Sequence, residues 1–317
     1  MNRKAEQLKF LDGKEVIHVQ DKACIQANYP IGNGDGIVQI YDLFPGIQLM
    51  INDFQTNSCF QSGMEQNAIT IDRCRKGRFE CVFDRQHYLY LGEGNFSIHN
   101  VLRSPVRSSF PLHYFYGSTI ILFPESCENA PELQLFGIDT ERLTEKYQLD
   151  TQCHVFRRNE DIDHVYSELY ENLKQPDLPF LRLKVLEIIY HLQSSQIVLG
   201  EKQDYLSVET TERVKHIRDH LIQDMEQRIS LKDLAEEHGL SLTQLKISFK
   251  QIYGQTPYAW LKSYKMHEAS KMLAESDLKI SEVASAFGYQ NPSKFSEAFC
   301  AVMGKPPVQY RKEHRIF

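Results

Sequence analysis

No stretch of roughly 18 consecutive apolar residues occurs in the 317-residue chain, which excludes a helical membrane span. The opening, MNRKAEQLKFLDGKEV, lacks an apolar centre and a small-residue cleavage site, so no secretory signal is expected and the cytoplasm is the expected location. Cysteine is scarce and unpatterned. Cys24, Cys59, Cys74, Cys81, Cys127, Cys153 and Cys300 are odd in number, scattered and without C-x-x-C spacing. That argues for a reducing compartment and against a disulfide framework or a thiolate zinc site. A close His-x-His or His-x-Asp/Glu pair is also missing, so no metal and no cofactor are expected. Trp260 is the single tryptophan and is expected in the core beneath a helix.

The hydrophobic share (42%) and the charged share (25%) are ordinary, so the chain can bury a globular core, and its length suggests about two domains. The net charge of −6 speaks against a polyanion partner only if it is evenly spread. It is not: residues 1–206 carry 20 basic and 28 acidic side chains, and residues 240–317 carry 11 and 6. The C-terminal excess of positive charge is the side on which nucleic acid would bind.

From about Ile31 to Ile121, GIVQIYDL, GIQLMIND, AITIDRCRKG, FECVF and YLYLGEGNFSIHNV read as short strands rich in β-branched and aromatic residues. Their spacing predicts an antiparallel barrel, cupin-like, over about residues 31–125. Helices are expected over about 131–196. In LPFLRLKVLEIIYHLQSS, Leu181, Val185, Ile188, Ile189 and Leu192 fall on one helix face. That face is expected either to dimerise or to close the barrel. Residues 1–199 would form the N-terminal domain, the polar stretch 200–213 a linker, and 214–317 an all-α domain.

Within this all-α region a single pattern occurs twice: GLSLTQLKISFKQIYGQTP (239–257) and GYQNPSKFSEAFCAVMGKPP (288–307). Each follows a short helical stretch that stops at a glycine, Gly239 or Gly288. Ser230 and Ser241 are expected N-caps in the first copy, with Ser241 and Gln244 spaced as a capping box; Asn291 is the expected N-cap in the second. Leu245, Ser248, Phe249 and Ile252 then face inward, as do Phe295, Ala298, Phe299 and Val302. The outward faces carry Thr243, Gln244, Lys246, Ile247 and Lys250, and Ser293, Lys294, Ser296, Glu297 and Cys300. Helix, glycine turn, helix is the helix-turn-helix unit, whose second helix enters the major groove. A helix over about 257–276 would join the two units so that both read double-stranded DNA about one turn apart, roughly 34 Å. By charge alone Lys294, Lys305, Arg311 and Lys312 are phosphate candidates.

The C-terminal hundred residues resemble the AraC/XylS family of bacterial transcription regulators. The resemblance rests on DLKISEVASAFGYQNPSKFSEAFCAVMGKPPVQYRK, in which Ala284, Gly288, Phe295, Phe299, Gly304, Pro307 and Tyr310 match the family signature. It implies a DNA-binding regulator, usually an activator, that is not an enzyme, works with RNA polymerase, and carries an N-terminal effector or dimerisation domain. CRKGRFEC, YLYLGEGNFSI and GYQNPSKF are similar to the PchR-like, siderophore-responsive subgroup, which implies a metabolite effector. Glu297 departs from the family, which commonly has Arg at that position. A dimerising regulator without a ligand is the alternative. An enzyme fused to the DNA-binding domain is a remote one, because its zinc-type cysteine cluster is missing.

The effector, if there is one, would meet the sheet. Tyr90, His99, His113, Tyr114 and Tyr116 are the candidate lining residues, set against an ordinary aromatic core.

Overall fold

The computed structural model describes residues 16–21, 24–31, 34–57, 59, 67–83, 87–103, 105, 107–150, 153–194, 205–223 and 230–315. The chain divides into two compact units, Met1–Val208 and Glu209–Phe317. The start of the expected linker, residues 200–204, lies outside the described residues. Residues 208–213 of that linker are helical rather than loose.

The first unit is built on strands β1 (Val16–Asp21), β2 (Cys24–Ile31), β3 (Gly34–Phe44), β4 (Ile47–Gln55), β5 (Ile69–Phe83), β6 (His87–Gly92), β7 (Phe96–Asn100), β8 (Arg107–Ser109), β9 (Phe115–Leu122), β10 (His154–Phe156) and β11 (Leu206–Ser207). Every pairing among the described residues is antiparallel. The order is β1-β2-β3-β4-β9-β5-β6-β11, with β7 and β8 also on β5 and β10 on β7. Two expectations are corrected here. The sheet begins well before Ile31, because β1 and β2 start ahead of it. The barrel is not closed: among the described residues nothing pairs β1 with β11.

The cause is visible in β5, which the sequence pattern divides into two strands. It is one 15-residue strand with a register shift between Cys74 and Lys76. Ile69–Arg73 pair with β7 on one edge and β9 on the other, whereas Arg78–Phe83 pair with β6. Gly77 makes the bend at φ 84°, where a Cβ would sit 2.3 Å from the Tyr114 carbonyl oxygen. A strand that changes partners at such a bulge turns a corner between two layers, so the sheet folds over itself instead of rolling shut.

Helices cover one face: α1 (Pro124–Glu128), α2 (Pro131–Leu135), α3 (Thr140–Tyr147), α4 (Glu160–Asn172) and α5 (Leu178–Gln193). Ile47, Leu49 and Ile51 of β4 and Ile120 and Leu122 of β9 join the core beneath them, while Met50 and Ile121 join a second core on the other face. β4 and β9 are therefore buried on both sides, which accounts for the consecutive apolar residues Leu49–Ile51 and Ile120–Leu122. Leu181, Val185, Ile188, Ile189 and Leu192 are each at most 1% exposed and belong to the helix-side core. Their face covers the chain's own sheet, the second of the two readings expected for it. Each such side chain contributes about 1.5–3 kcal/mol of burial. Polar ties fix the layer: Arg182 Nε donates to the Leu43 carbonyl at 2.7 Å, Tyr170 donates to Ser118 Oγ at 3.0 Å, and Arg73 pairs with Asp163.

The second unit is helical: α6 (Val208–Gln223), α7 (Leu231–Glu237), α8 (Leu242–Tyr253), α9 (Pro257–Glu275), α10 (Ile280–Ala286), α11 (Pro292–Met303) and α12 (Pro307–His314). The pairs α7/α8 and α10/α11 repeat one local design. α7 closes on Gly239 (φ 66°), with Leu240 N donating to the Ala235 carbonyl. α10 closes on Gly288 (φ 77°), with Tyr289 N donating to the Ala284 carbonyl, both at 2.9 Å. This is the Schellman closure, in which only glycine adopts the left-handed conformation without strain. α8 and α11 are both 12 residues long and both end on a left-handed glycine, Gly254 or Gly304. In each copy a proline three residues later opens the next helix, α9 or α12. α9, the expected joining helix, has 19 residues and so spans about 28 Å.

Candidate nucleic-acid interface

α8 is held from below and capped from the front. Leu245, Phe249 and Ile252 are fully buried and Ser248 nearly so. Phe249 and Tyr253 pack on Trp260 of α9 with ring centroids 5.7 and 5.5 Å apart. Trp260 is half-buried in this contact. At the N-terminus Gln244 N donates to Ser241 Oγ (3.2 Å) and Ser241 N donates to Gln244 Oε1 (3.0 Å), a complete capping box. Gln244 is thereby committed to its own helix through its side-chain oxygen.

The opposite face of α8 exposes Thr243, Lys246, Ile247 and Lys250. Ile247 is 62% exposed, an unusual position for a large apolar side chain on a helix whose stripe at Leu245, Phe249 and Ile252 is buried. Neither Lys246 nor Lys250 forms an ion pair among the described residues, so both ammonium groups are available. Two such cations one turn apart with an exposed methyl-bearing side chain between them match what a major groove offers: phosphates, acceptor edges and thymine methyls.

α11 is built the same way and furnished differently. Phe295 and Phe299 are fully buried, and Ala298 is buried beside them. Val302, expected inward, is only half-buried. Asn291 caps the helix by accepting from Ser293 N at 2.8 Å, a bond that uses the backbone of Ser293 and not its hydroxyl. The Ser296 hydroxyl donates to the Pro292 carbonyl at 2.9 Å and so offers only its lone pairs. Lys294 and Glu297 form an ion pair at 2.9 Å, and this carboxylate raises the Lys294 pKa. Cys300 is an exposed free thiol at the end of the same face.

Three of the four charge-based phosphate candidates are already engaged, Lys294 by its pair with Glu297. Arg311 donates to the carbonyls of Leu273 (3.3 Å) and Leu278 (2.6 Å), closing the end of α9, and Lys305 pairs with Glu313. Lys312 is exposed. A cluster that the sequence pattern missed lies between α6 and the end of α7, where His220, Glu237 and His238 converge. The available signal was the four-residue spacing of His216 and His220 on α6.

In the first unit the five candidate effector residues have different surroundings. The Tyr90 hydroxyl, fully buried on β6, donates to Glu80 Oε2 at 2.7 Å. His99 on β7 lies 3.1 Å from Thr70 Oγ1 and 3.6 Å from Asp72 Oδ2, and burial pushes its pKa down. His113 (φ 61°) and Tyr114 are exposed ahead of β9. Tyr116 packs against Tyr170 in the helix-side core, rings 5.7 Å apart. Of the five, Tyr90 is fully buried and His99 half-buried, whereas His113 and Tyr114 are exposed and Tyr116 is half-buried.

A family model described as a helix-turn-helix domain matches residues 234–313, which takes in most of α7 and all of α8 to α11. The chain is similar to the transcriptional activator NphR of a Rhodococcus species, 32% identical over 111 residues, 35% of this chain and 32% of that protein. It is similar to the HTH-type transcriptional activator RhaS of Escherichia fergusonii, 25% identical over 234 residues, 73% of this chain and 74% of that protein. Among solved structures, the C-terminal domain of AraT, a response regulator from Geobacillus stearothermophilus, is 30% identical over 33% of this chain and 88% of that one, with a TM-score of 0.32. The chain spans about a third of NphR, so that likeness is one of domains. The C-terminal unit carries a helix-turn-helix domain, and over 83 residues, 26% of this chain and 27% of that protein, the chain is 34% identical to a putative AraC-like transcription regulator of Streptomyces lividans.

Proposed function

We propose that the protein is a sequence-specific DNA-binding transcription regulator, an activator, in which α8 and α11 are two reading helices carried on the ends of α9. The observation that carries this is the repeated design. Both helix pairs close on the same Schellman turn, both second helices have 12 residues, and both bury an apolar stripe while exposing a polar one. A bundle selected only for stability has no need to repeat its turns. A protein that meets the major groove twice does, and the 28 Å spanned by α9 is close to one DNA turn. On this reading Thr243, Lys246, Ile247 and Lys250 contact the first window and Ser293, Lys294, Ser296 and Glu297 the second. Gln244 acts chiefly as a cap.

The first unit is read as an opened, cupin-like sheet with trailing helices that senses a small molecule. The wording shared with siderophore-responsive regulators favours a siderophore or similar metabolite, and Tyr90 and His99 are its first candidates for contact. Homodimerisation and engagement of RNA polymerase complete the proposal. The similar proteins NphR and RhaS, both activators by name, support it.

Selection of random duplexes by the full chain tests the DNA reading. The expected product is a site with two fixed windows about 10–10.5 base pairs apart. Recovery of no enriched sequence, with binding that tracks salt alone, would overturn it. A thermal-shift series with ferric siderophores and small aromatics tests the sensor reading separately: a saturable rise in Tm supports it, and a flat response across the series supports the ligand-free alternative.

A further inference from the structure

We propose that the second unit holds a divalent transition-metal site, of the zinc class, formed by His220 of α6 with Glu237 and His238 at the end of α7. One ligand atom from each of the three lies within 4.8 Å of the other two. They line an open cleft of about 290 Å³ together with His216, Asp219 and Gln223. The four α6 residues stand at i, i+3, i+4 and i+7, so a single helix face forms one wall of the cleft. The end of α7 forms the other.

Three observations select a cation. His238 Nε2 is buried and has no hydrogen-bond partner, and His238 lines the cleft, so an unsatisfied ring nitrogen stands at the site. The rings of His220 and His238 stand 6.5 Å apart at 72°, an arrangement in which two lone pairs can converge without the rings stacking. Glu237 adds a carboxylate that would repel a phosphate, so the alternative of two protonated histidines gripping an anion is disfavoured. Two imidazoles and one carboxylate suit zinc, nickel or copper, and poorly suit magnesium or calcium, which take oxygen ligands. Tetrahedral zinc with bonds of about 2.0–2.1 Å needs donors roughly 3.4 Å apart. Closing from within 4.8 Å to that spacing calls for rotation of the half-exposed His220 ring and the exposed Glu237 side chain. The fourth position falls to water or to Asp219, which now pairs with Arg218.

The position gives the ion a purpose beyond that of a surface histidine cluster. His238 is the C-cap of α7 and immediately precedes Gly239, the turn that launches α8. Arg213 of α6 already ties that turn by donating to the Gly239 carbonyl at 2.9 Å. A bound metal is a second tie between the same helix and the same turn, and it fixes the approach of the first reading helix.

The test is zinc titration of the chelator-stripped full chain by calorimetry, with thermal unfolding run in parallel. One ion per chain is expected, with a rise in Tm that excess magnesium does not reproduce. His220→Ala and His238→Ala should each weaken binding at least about tenfold and abolish the shift, while His267→Ala, on α9, should leave both intact. Should His238→Ala unfold the domain, Glu237→Gln at the exposed helix end removes a charged ligand without removing a cap, and it too should weaken binding. No saturable uptake up to roughly 100 μM zinc, or full uptake by the His220→Ala/His238→Ala chain, would overturn the proposal. DNA binding that fails while this site persists would count against the DNA reading alone.

Discussion

Lys294 donates to a carboxylate oxygen of Glu297 at 2.9 Å, one turn further along α11. The pair lies on the outward face of the second candidate reading helix and cancels its charge. α8, by contrast, carries Lys246 and Lys250 on the matching face, with no ion pair to either among the described residues. The two helices are therefore unequal in what they offer a phosphate backbone. Glu297→Ala frees Lys294, so affinity for any duplex should rise and the slope of log affinity against log salt should steepen by about one unit. Filter binding across a salt series measures both. A drop in affinity with the domain still folded would mean that Glu297 accepts from a cytosine amine and carries specificity.

Lys246 and Ile247 sit at the centre of the α8 face. Lys246→Ala should cost about 1–3 kcal/mol of specific binding if the ammonium meets a base edge; if it meets only phosphate, all sequences should weaken together and the salt slope should fall by about one unit. Ile247→Ser should leave non-specific binding unchanged and relax preference at one T·A position, read by competition between duplexes that differ at a single base pair.

Gln244 has the residue type for capping and for base contact alike, and the Ser241 capping box takes it. Gln244→Ala should therefore act on folding more than on reading. We expect a loss of roughly 0.5–2 kcal/mol in urea unfolding and an unchanged ranking of DNA sequences.

What the sequence made legible and what it hid divide by range. The caps at Ser230, Ser241 and Asn291, the left-handed glycines and, apart from the half-buried Val302, the inward stripes of α8 and α11 depend on neighbours within a turn or two, and pattern alone located them. The first sheet unit depends on distant partners. AITIDRCRKG and FECVF look like two strands because Gly77 interrupts them, yet one strand continues through the bulge and takes new partners. The Leu181–Leu192 face is apolar whether it covers a sheet or a second subunit, so its pattern is silent on the choice. His220 meets Glu237 and His238 only after α6 and α7 have packed, so the spacing of His216 and His220 marks one wall of the cleft and does not announce the cluster.

His99 provides the pH test of the first unit. Burial lowers its pKa below the ordinary imidazole value of 6.5, with the Asp72 carboxylate opposing. The folded chain thus takes up that proton less readily than the unfolded one. Stability from this group is full above about pH 6.5 and is lost as pH falls from there towards the lower folded value, at up to about 1.36 kcal/mol per pH unit. His99→Gln should flatten that stretch of the curve of unfolding free energy against pH. An identical slope in wild type and variant would assign the acid limb to other groups.

Cys300 gives the most direct view of α11. It is the one exposed cysteine among the described residues; Cys24, Cys74, Cys127 and Cys153 are buried, and Cys59 and Cys81 are intermediate. Burial also pushes the Cys74 thiol up to about 12 and the Cys127 thiol to about 11, so neither forms the reactive thiolate near neutral pH. A water-soluble maleimide should therefore label Cys300 first, and Cys300→Ser should remove the fast phase. If α11 lies in the major groove, a specific duplex shields this face and should slow the fast phase severalfold, while an unrelated duplex at moderate salt should not. Equal labelling with and without the specific duplex would leave α8 as the sole reading helix and place α11 outside the groove.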